Sequence, residues 1–262
     1  MSFDLAVWYS NKPLTDSEAS EVYAAAGEAD SRNIIFERHA SVGEFFGELT
    51  VHFPDSRDLP EDEWDECPWS CPLSVSDGCC EMCMSWSRVN DVVPLVLELA
   101  AKHGLVCFDP QSSRVFLPPA HNAVLGRENP NPRLLFSVEE EEPIRAPTVQ
   151  QIRNTIARMR VNGGPSFAIL ESTSGSYTQI AGGDGLYMAE WREQLAEGFK
   201  HWVAGKDGDN HSEIAIPTNG CQVTVKINEQ LNVSDVGEIF AAFSETESRP
   251  TRFKWRDITD RF

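Results

Sequence analysis

The chain has 262 residues, of which 41% are apolar and 10% aromatic, and its formal net charge at pH 7 is −19. This length is typical of one or two domains with cores of their own. The acidity disfavours nucleic acid and anionic membranes as partners, because phosphate groups are bound by clustered basic side chains. No apolar run of about 18 residues is present, so no transmembrane helix is expected.

The start of the chain and its cysteines indicate a reducing compartment. The segment MSFDLAVWYSNKP lacks the basic region and the long apolar stretch of a secretory signal. The chain has seven cysteines, an odd number, and Cys79 and Cys80 are adjacent. Both features disfavour a secreted disulfide framework. We therefore expect a cytoplasmic protein with reduced thiols.

The first part of the chain is predicted to be a layer of helices on a sheet. Alternating side chains predict a strand in FDLAVWYS, and two helices are expected in PLTDSEASEVYAAAGE and SVGEFFGELTVHFPD. An Asp77–Gly78 turn predicts a hairpin of PLSVS and CCEMCMSWSRV. A third helix is expected to begin at Asn90 or Asp91 and to end before Gly104. With short strands in LVCFDP and RVFLP, the order is β-α-α-β-β-α-β-β, and the sheet should be mostly antiparallel.

The second part repeats this combination after a change in composition. Residues 118–147 contain six prolines and the run Glu139–Glu142, which is typical of a linker or a long ordered connection. A helix capped by Thr148 and a closing helix in NVSDVGEIFAAFSE enclose strands in SFAILES, SYTQIAGG, LYMAEWR, GFKHWVAG and CQVTVKI, and RFKWRDITDRF is a tail. We predict an α+β protein of two helix-on-antiparallel-sheet domains, 1–117 and 148–262, joined by the linker 118–147.

Five cysteines are concentrated in DECPWSCPLSVSDGCCEMC, residues 65–83. Structural zinc sites have paired ligands a few residues apart, and this segment approaches that spacing. In the predicted strand, however, Cys80 and Cys83 point to opposite faces and cannot share one ion. Cysteine also packs as a small apolar residue. We expect no metal here.

No catalytic motif stands out. The sequence has no G-x-S-x-G, no H-E-x-x-H and no phosphate-binding loop. The GGDG segment, Gly182–Gly185, has the character of a hairpin turn, and the six histidines are isolated along the chain. Glu139–Glu142 lacks the ligand pattern of a calcium loop. We expect no enzymatic activity and no cofactor.

Charge and aromatic content indicate a protein-binding segment. Residues 1–144 carry 26 acidic and 9 basic side chains, a net charge of −17, whereas residues 145–262 have a net charge of −2. Such a surface attracts a basic protein, although acidity also serves solubility alone. The loop DSRDLPEDEWDECPW combines aromatic anchors with carboxylates, as interfaces do. The predicted partner-binding residues are Asp62, Glu63, Trp64, Asp65, Glu66 and Trp69. In the alternative, both tryptophans turn inward and the acids only solvate the loop.

Two parts of the chain resemble known families. SFAILESTSGSYTQIAGGDGLYMAEWRE and FKWRDITDRF resemble immunity proteins of bacterial polymorphic-toxin systems, in which a Tyr-x-Gln strand, a Gly-rich turn and an apolar-acidic strand follow one another. The corresponding segments here are Tyr177-Thr178-Gln179, Gly182–Gly185 and Tyr187–Trp191. The N-terminal half, in FDLAVWYS, PWSCPLSVSDG and VVPLVLELAAKHGLVCFDPQ, resembles uncharacterised bacterial cytosolic proteins.

The resemblance implies a non-enzymatic protein that binds and neutralises a cognate toxin. An acidic inhibitor suits a basic toxin such as a nuclease, whose cleft holds phosphate. Two alternatives stay open. One is a small enzyme with no recognisable motif, and the other is an acidic scaffold or regulator unrelated to toxins.

Overall fold

The computed structural model describes residues 2–27, 35–208 and 212–262, so that His211, one of the six histidines, lies outside the described residues. The chain divides into two compact units, Met1–Pro132 and Arg133–Phe262. Each unit combines helices with antiparallel strands, and the predicted α+β class is confirmed. None of the helices in the described part of the chain has the length and apolar character that crossing a bilayer requires.

The first unit follows the predicted order of elements. Its described helices and strands are β1 (Ser2–Trp8), α1 (Asp16–Gly27), α2 (Ala40–His52), β2 (Ser74–Val75), β3 (Cys79–Ser85), α3 (Val89–Lys102), β4 (Val106–Asp109), β5 (Arg114–Phe116) and α4 (Pro119–Val124). Short 3-10 helices lie at Glu61–Glu66 and Trp86–Arg88. The sheet order is β2-β3-β1-β4-β5, and neighbouring strands are antiparallel.

Strand β1 is central in this sheet and is covered on both faces. All residues from Leu5 to Trp8 are buried, although successive side chains of a strand point to opposite faces. Ala6 and Trp8 pack in one cluster with Ala19 of α1. A capping box formed by Thr15 and Glu18 begins α1.

One helix start in this unit differs from the prediction. Helix α3 begins at Val89, before Asn90 and Asp91, and its N-cap residue Arg88 makes no side-chain capping bond. Burial of the β-branched side chains of α3 fixes the helix instead of a cap. Gly104 follows its end with φ of +70°, as expected for a residue in the left-handed region.

The second unit is a sheet with two helices and a hairpin. Its described elements are β6 (Leu134–Val138), β7 (Ile144–Arg145), α5 (Val149–Arg158), β8 (Phe167–Ser172), β9 (Tyr177–Gly183), β10 (Leu186–Gln194), β11 (Phe199–Gly205), β12 (Glu213–Thr218), β13 (Cys221–Lys226), α6 (Val233–Thr246) and β14 (Lys254–Asp257). The sheet order is β14-β11-β10-β9-β8-β6-β7, and β12 pairs with β13 separately. The described pairs are all antiparallel.

The two faces of the large sheet have different covers. Helices α5 and α6 pack on one face through a cluster that includes Ile156, Trp191 and Phe240. The β12–β13 hairpin packs through Ile216 and Val225 against Met188 and Val203, which belong to another cluster. Since β10 places Met188 and Trp191 on opposite faces, helices and hairpin lie on opposite sides of this sheet.

Two segments are more ordered than the sequence predicts. The predicted linker 118–147 contains α4, β6 and β7, and β6 pairs with β8 inside the sheet of the second unit. Alternating Leu134, Phe136 and Val138 are buried in the core of that unit, which outweighs the surrounding prolines and glutamates. The predicted tail also pairs, because β14 forms the edge of this sheet beside β11.

Candidate functional site

The predicted acidic loop contains a short 3-10 helix, Glu61–Glu66. Pro60 precedes this helix in an extended conformation, and the amide of Cys67 donates a hydrogen bond to the carbonyl oxygen of Trp64 at its end. All side chains from Asp62 to Glu66 are exposed. The chain therefore presents these five predicted residues together on one local element, where the sequence predicts irregular structure.

Trp64 is the large apolar side chain of this helix and is 55% exposed. Its Nε1 donates to the carbonyl oxygen of Leu59 over 3.3 Å, which holds the indole beside its own helix. Within the described part of the chain, the surrounding carboxylates of Asp62, Glu63, Asp65 and Glu66 form no ion pair. Their negative charge is thus not neutralised locally and acts on solvent and approaching partners.

Trp69 lies elsewhere and is not available to a partner. Its side chain is 5% exposed, and its Nε1 donates to the carbonyl oxygens of Phe53 and Pro54 over 3.2 and 3.0 Å. It packs edge-to-face on Phe53 and forms an isolated antiparallel bridge with Met84 of β3. The assignment of Trp69 to the partner-binding residues is therefore corrected: the indole covers the sheet, as in the alternative interpretation.

Trp86 is a surface residue that the sequence analysis misses. Trp86 continues the sequence alternation of Cys80, Met82 and Met84, and a longer strand would therefore place it on their face of the sheet. Strand β3 ends at Ser85, however, and Trp86 begins the 3-10 helix Trp86–Arg88 with 48% exposure. The rest of the indole packs edge-to-face on buried Phe3, with ring centroids 5.1 Å apart. Serines on both sides of Trp86 are the one sequence signal of this strand end.

The two tryptophan-bearing helices contact each other through Arg88. Its Nη1 donates to the carbonyl oxygen of Glu66 over 2.8 Å, while its Nε donates to Asp91 over 3.2 Å. A charged donor on a main-chain acceptor makes a comparatively strong hydrogen bond. We call residues 62–66 together with Trp86 the two-tryptophan surface. It offers two half-exposed aromatic groups and four carboxylates, the composition of a protein interface rather than of a reaction centre.

The cysteines of the first unit differ in burial. Cys79, Cys80 and Cys107 are buried in the sheet, and burial raises the pKa of Cys80 to about 12, so that it stays a neutral thiol. Cys83 is only partly buried. Among residues 2–27, 35–208 and 212–262, no group of three or more histidine, cysteine or acidic side chains is arranged to hold a metal ion.

A polar cluster on the sheet of the second unit is the other candidate for chemistry. Glu190 is central in it: its Oε2 accepts from Gln179 Nε2 over 2.5 Å and lies 3.1 Å from His201 Nε2. The pairing of β9, β10 and β11 brings these side chains together. Nδ1 of His201 is buried without a hydrogen-bond partner.

The surroundings of His201 oppose a catalytic role. The imidazole is fully buried. The Phe262 ring stacks on it with ring centroids 4.4 Å apart, and the Tyr177 ring packs against it edge-to-face with centroids 5.8 Å apart. A general base must reach the proton of a substrate within hydrogen-bond distance. The buried imidazole of His201 therefore packs against the sheet and positions Glu190, and in this conformation it does not contact a substrate.

The Gly182–Gly185 segment forms the expected turn between β9 and β10. Asp184 and Gly185 have φ of +53° and +89°, as tight hairpins require. Asp184 accepts a hydrogen bond from the amide of Val161 and forms an ion pair with Arg160 at 3.3 Å. The turn is thus fastened to the segment that follows α5.

Comparison with known proteins adds no assignment: no protein-family model matches the chain, and the search of curated proteins finds no match.

Proposed function

We propose that the chain is a non-enzymatic immunity protein, which binds and neutralises a cognate, basic bacterial toxin in the cytoplasm. The observation that carries this proposal is Trp64, held 55% exposed among four carboxylates. Tryptophan is enriched among the residues that dominate binding energy at interfaces. A soluble chain gains nothing in its own fold from exposing an indole, whereas a partner that covers it removes apolar area from water.

Electrostatics support a basic partner. The first unit carries 22 acidic and 8 basic side chains, a net charge of −14, and the second carries 19 and 14, a net charge of −5. Unpaired carboxylates around Trp64 add a local negative field to this long-range one. Such fields accelerate the encounter with a basic partner and reject nucleic acid, whose phosphates carry the same sign.

The proposed inhibition is occupation of a basic cleft. If the toxin acts on nucleic acid, its active cleft must attract phosphate groups. Carboxylates of Asp62, Glu63, Asp65 and Glu66 would take the positions of those phosphates, and Trp64 would anchor the contact beside them. Inhibition by occupation of the cleft requires no catalytic group in the inhibitor. The resemblance of residues 148–262 to immunity proteins supports the same function independently of the charge.

The test is binding to a toxin domain encoded by a neighbouring gene. Charge reversal of Asp62, Glu63, Asp65 and Glu66 to lysine should slow association at least tenfold at low salt. The difference should shrink as ionic strength rises, because exposed charges are screened beyond about 8–10 Å near physiological salt. Stopped-flow binding at two salt concentrations measures both effects, and circular dichroism checks the fold.

The matched control changes the same number of exposed acids in the second unit: Glu193, Glu197, Glu213 and Glu245. It alters net charge equally but leaves the two-tryptophan surface intact. If the control slows association as much as the charge-reversed variant, only net charge matters. Failure of the wild-type protein to bind or inhibit that toxin would reject the proposed function itself.

A further inference from the structure

Cys71 and Cys83 are separated in sequence and adjacent in the fold. The segment before Cys71 runs antiparallel to β3: the Ser70 amide donates to the carbonyl oxygen of Cys83 over 2.8 Å, and the Ser85 amide donates to that of Pro68 over 3.0 Å. The Trp69–Met84 bridge lies between these two hydrogen bonds. The Cys71 side chain lies close enough to Cys83 to raise the pKa of the Cys83 thiol.

The two thiols differ in accessibility. Cys71 is exposed, whereas Cys83 is partly buried and lies opposite Asp4 of β1. Burial, together with the neighbouring Asp4 and Cys71, raises the pKa of Cys83 to about 11. At neutral pH Cys83 is therefore a protonated thiol, and the solvent-facing Cys71 is the sulfur that an oxidant reaches first.

We infer that Cys71 and Cys83 are an oxidation site that a peroxide closes to a disulfide. The Cys71 thiolate attacks the O–O bond of hydrogen peroxide, so that an S–O bond forms and hydroxide leaves, giving a sulfenic acid. The Cys83 sulfur then attacks the Cys71 sulfur. The S–S bond forms, the S–O bond breaks, and the Cys83 proton leaves with the departing oxygen as water. The hydroxide takes up the proton that Cys71 released on ionising, so that two thiols lose two electrons and the peroxide is reduced to two molecules of water.

The other cysteines do not offer an equivalent pair. Cys80 contributes to the raised pKa of Cys107, but both thiols are fully buried, so that peroxide does not reach them. Exposed Cys221 belongs to the second unit, where its Sγ contacts the Thr218 hydroxyl at 2.9 Å. Cys67 is the matched neighbour of Cys71: it lies in the same segment, is partly buried and differs in lacking the Cys83 contact.

The disulfide would restrain the segment from Cys67 to Cys71, which follows the Glu61–Glu66 helix of the two-tryptophan surface. The segment from Cys67 to Cys71 connects the Glu61–Glu66 helix with β2, and main-chain hydrogen bonds of 2.8 and 3.0 Å hold it on β3. A covalent bond at its end would reduce the number of conformations of the unfolded chain between the two cysteines. This inference goes beyond the proposed function and does not depend on the identity of any partner.

The experiment maps the bond in the full-length protein. Wild-type protein is treated with hydrogen peroxide, free thiols are alkylated, and trypsin with Glu-C cleaves after Glu66, Glu81 and Arg88. We expect mass spectrometry to find residues 67–81, with three alkylated cysteines, linked to residues 82–88. The mass should be about 2 Da below the sum of these two peptides with Cys71 and Cys83 as free thiols. The link should vanish on reduction and in Cys71→Ser and Cys83→Ser, and it should persist in Cys67→Ser and Cys221→Ser.

A second readout covers the case in which Cys83→Ser does not fold. Oxidation should raise the midpoint temperature of unfolding by about 5 °C in the wild type, and not in Cys71→Ser, whose changed side chain is exposed. The inference is overturned if peroxide oxidises Cys71 to the sulfinic acid while Cys83 remains a free thiol that is alkylated afterwards. A link that survives in Cys71→Ser, or that requires Cys67, overturns it as well.

Discussion

Arg88 Nη1 donates a hydrogen bond to the main-chain carbonyl oxygen of Glu66 over 2.8 Å, and it thereby joins the two short helices that carry Trp64 and Trp86. The Arg88 side chain is 29% exposed, so water competes only partly for this bond. A pre-ordered surface loses less conformational entropy on binding than a mobile one. In the proposed complex, Arg88 would therefore contribute to binding through order rather than through contact.

The first prediction tests this contribution. Arg88→Met removes both hydrogen bonds but keeps most of the apolar length, and we expect the complex with the toxin to dissociate about three- to tenfold faster. Asp91→Asn is the control, because it weakens the ion pair to Arg88 and leaves the Glu66 bond in place. Surface plasmon resonance measures the dissociation rates. Equal rates for Arg88→Met and wild type would contradict a positioning role.

The second prediction concerns the indoles. Trp64→Ala and Trp86→Ala should each weaken toxin binding by about 2 kcal/mol, mainly through faster dissociation. Trp69→Phe is the matched control, since it removes the hydrogen bonds to Phe53 and Pro54 from a buried ring. It should lower the free energy of unfolding by about 1–2 kcal/mol and leave the binding kinetics unchanged. Loss of binding in the Trp69 variant alone would move the interface away from the two-tryptophan surface.

The third prediction concerns a buried ion pair of the second unit. Glu229 is 2% exposed and accepts hydrogen bonds from Arg256 over 2.5 and 2.8 Å and from the Lys226 amide over 2.9 Å. Burial raises the pKa of Glu229, but these hydrogen bonds outweigh it and hold the pKa below its usual value. A carboxyl group with a depressed folded-state pKa stabilises the fold above its unfolded pKa of about 4.3, and this contribution is lost as the pH falls through the folded value.

Glu229→Gln should therefore lower the free energy of unfolding by about 2 kcal/mol at pH 7, and the difference from wild type should disappear in acid, where both side chains are neutral. Urea denaturation at a series of pH values measures it. Asp207→Asn is the control, because the Asp207–Lys254 pair is 83% and 72% exposed and such pairs contribute little. A difference that persists in acid would show that the cost comes from packing and not from charge.

Local patterns in the sequence are enough for the α+β class and for most elements of the first unit, because those helices and strands carry their own periodicity. The order of elements in the first unit follows from that information. Local information does not predict segments whose partners are distant in sequence. Residues 254–257 have the composition of a tail, and only pairing with β11 makes them a strand. Likewise, the burial of Leu134, Phe136 and Val138 becomes evident only when β8 lies beside them.

The candidate site shows the same division. Exposure of Asp62, Glu63, Asp65 and Glu66 follows from their charge, since carboxylates are rarely buried unpaired. The positions of Trp69, which the prediction assigns to the interface, and of Trp86, which it does not name, depend on tertiary structure instead. Trp69 is buried because the carbonyl oxygens of Phe53 and Pro54 receive its N–H, and Trp86 is exposed because β3 ends one residue earlier. The burial of Trp69 has no local signature, and the end of β3 has only the serines that flank Trp86.

The last prediction tests the hairpin between β9 and β10. Gly182 has φ of +122°, and a Cβ atom there would lie 2.1 Å from the Leu186 carbonyl oxygen and 3.0 Å from Ile216 Cγ2. The first obstacle is backbone of the paired strand, which cannot rotate away, so Gly182→Ala must disrupt the pairing or the hairpin packing. We expect it to lower the free energy of unfolding by about 3 kcal/mol.

Two other glycines separate backbone strain from close approach. Gly185 has φ of +89° but open space where a Cβ would lie, so Gly185→Ala should lower the free energy of unfolding by about 1 kcal/mol through backbone strain alone. Gly237→Ala, inside α6 with nothing within 4 Å, should raise stability by about 0.5–1 kcal/mol. Urea denaturation of the three variants measures this order. Equal costs at Gly182 and Gly185 would mean that the left-handed backbone matters and that the close approach of Leu186 does not.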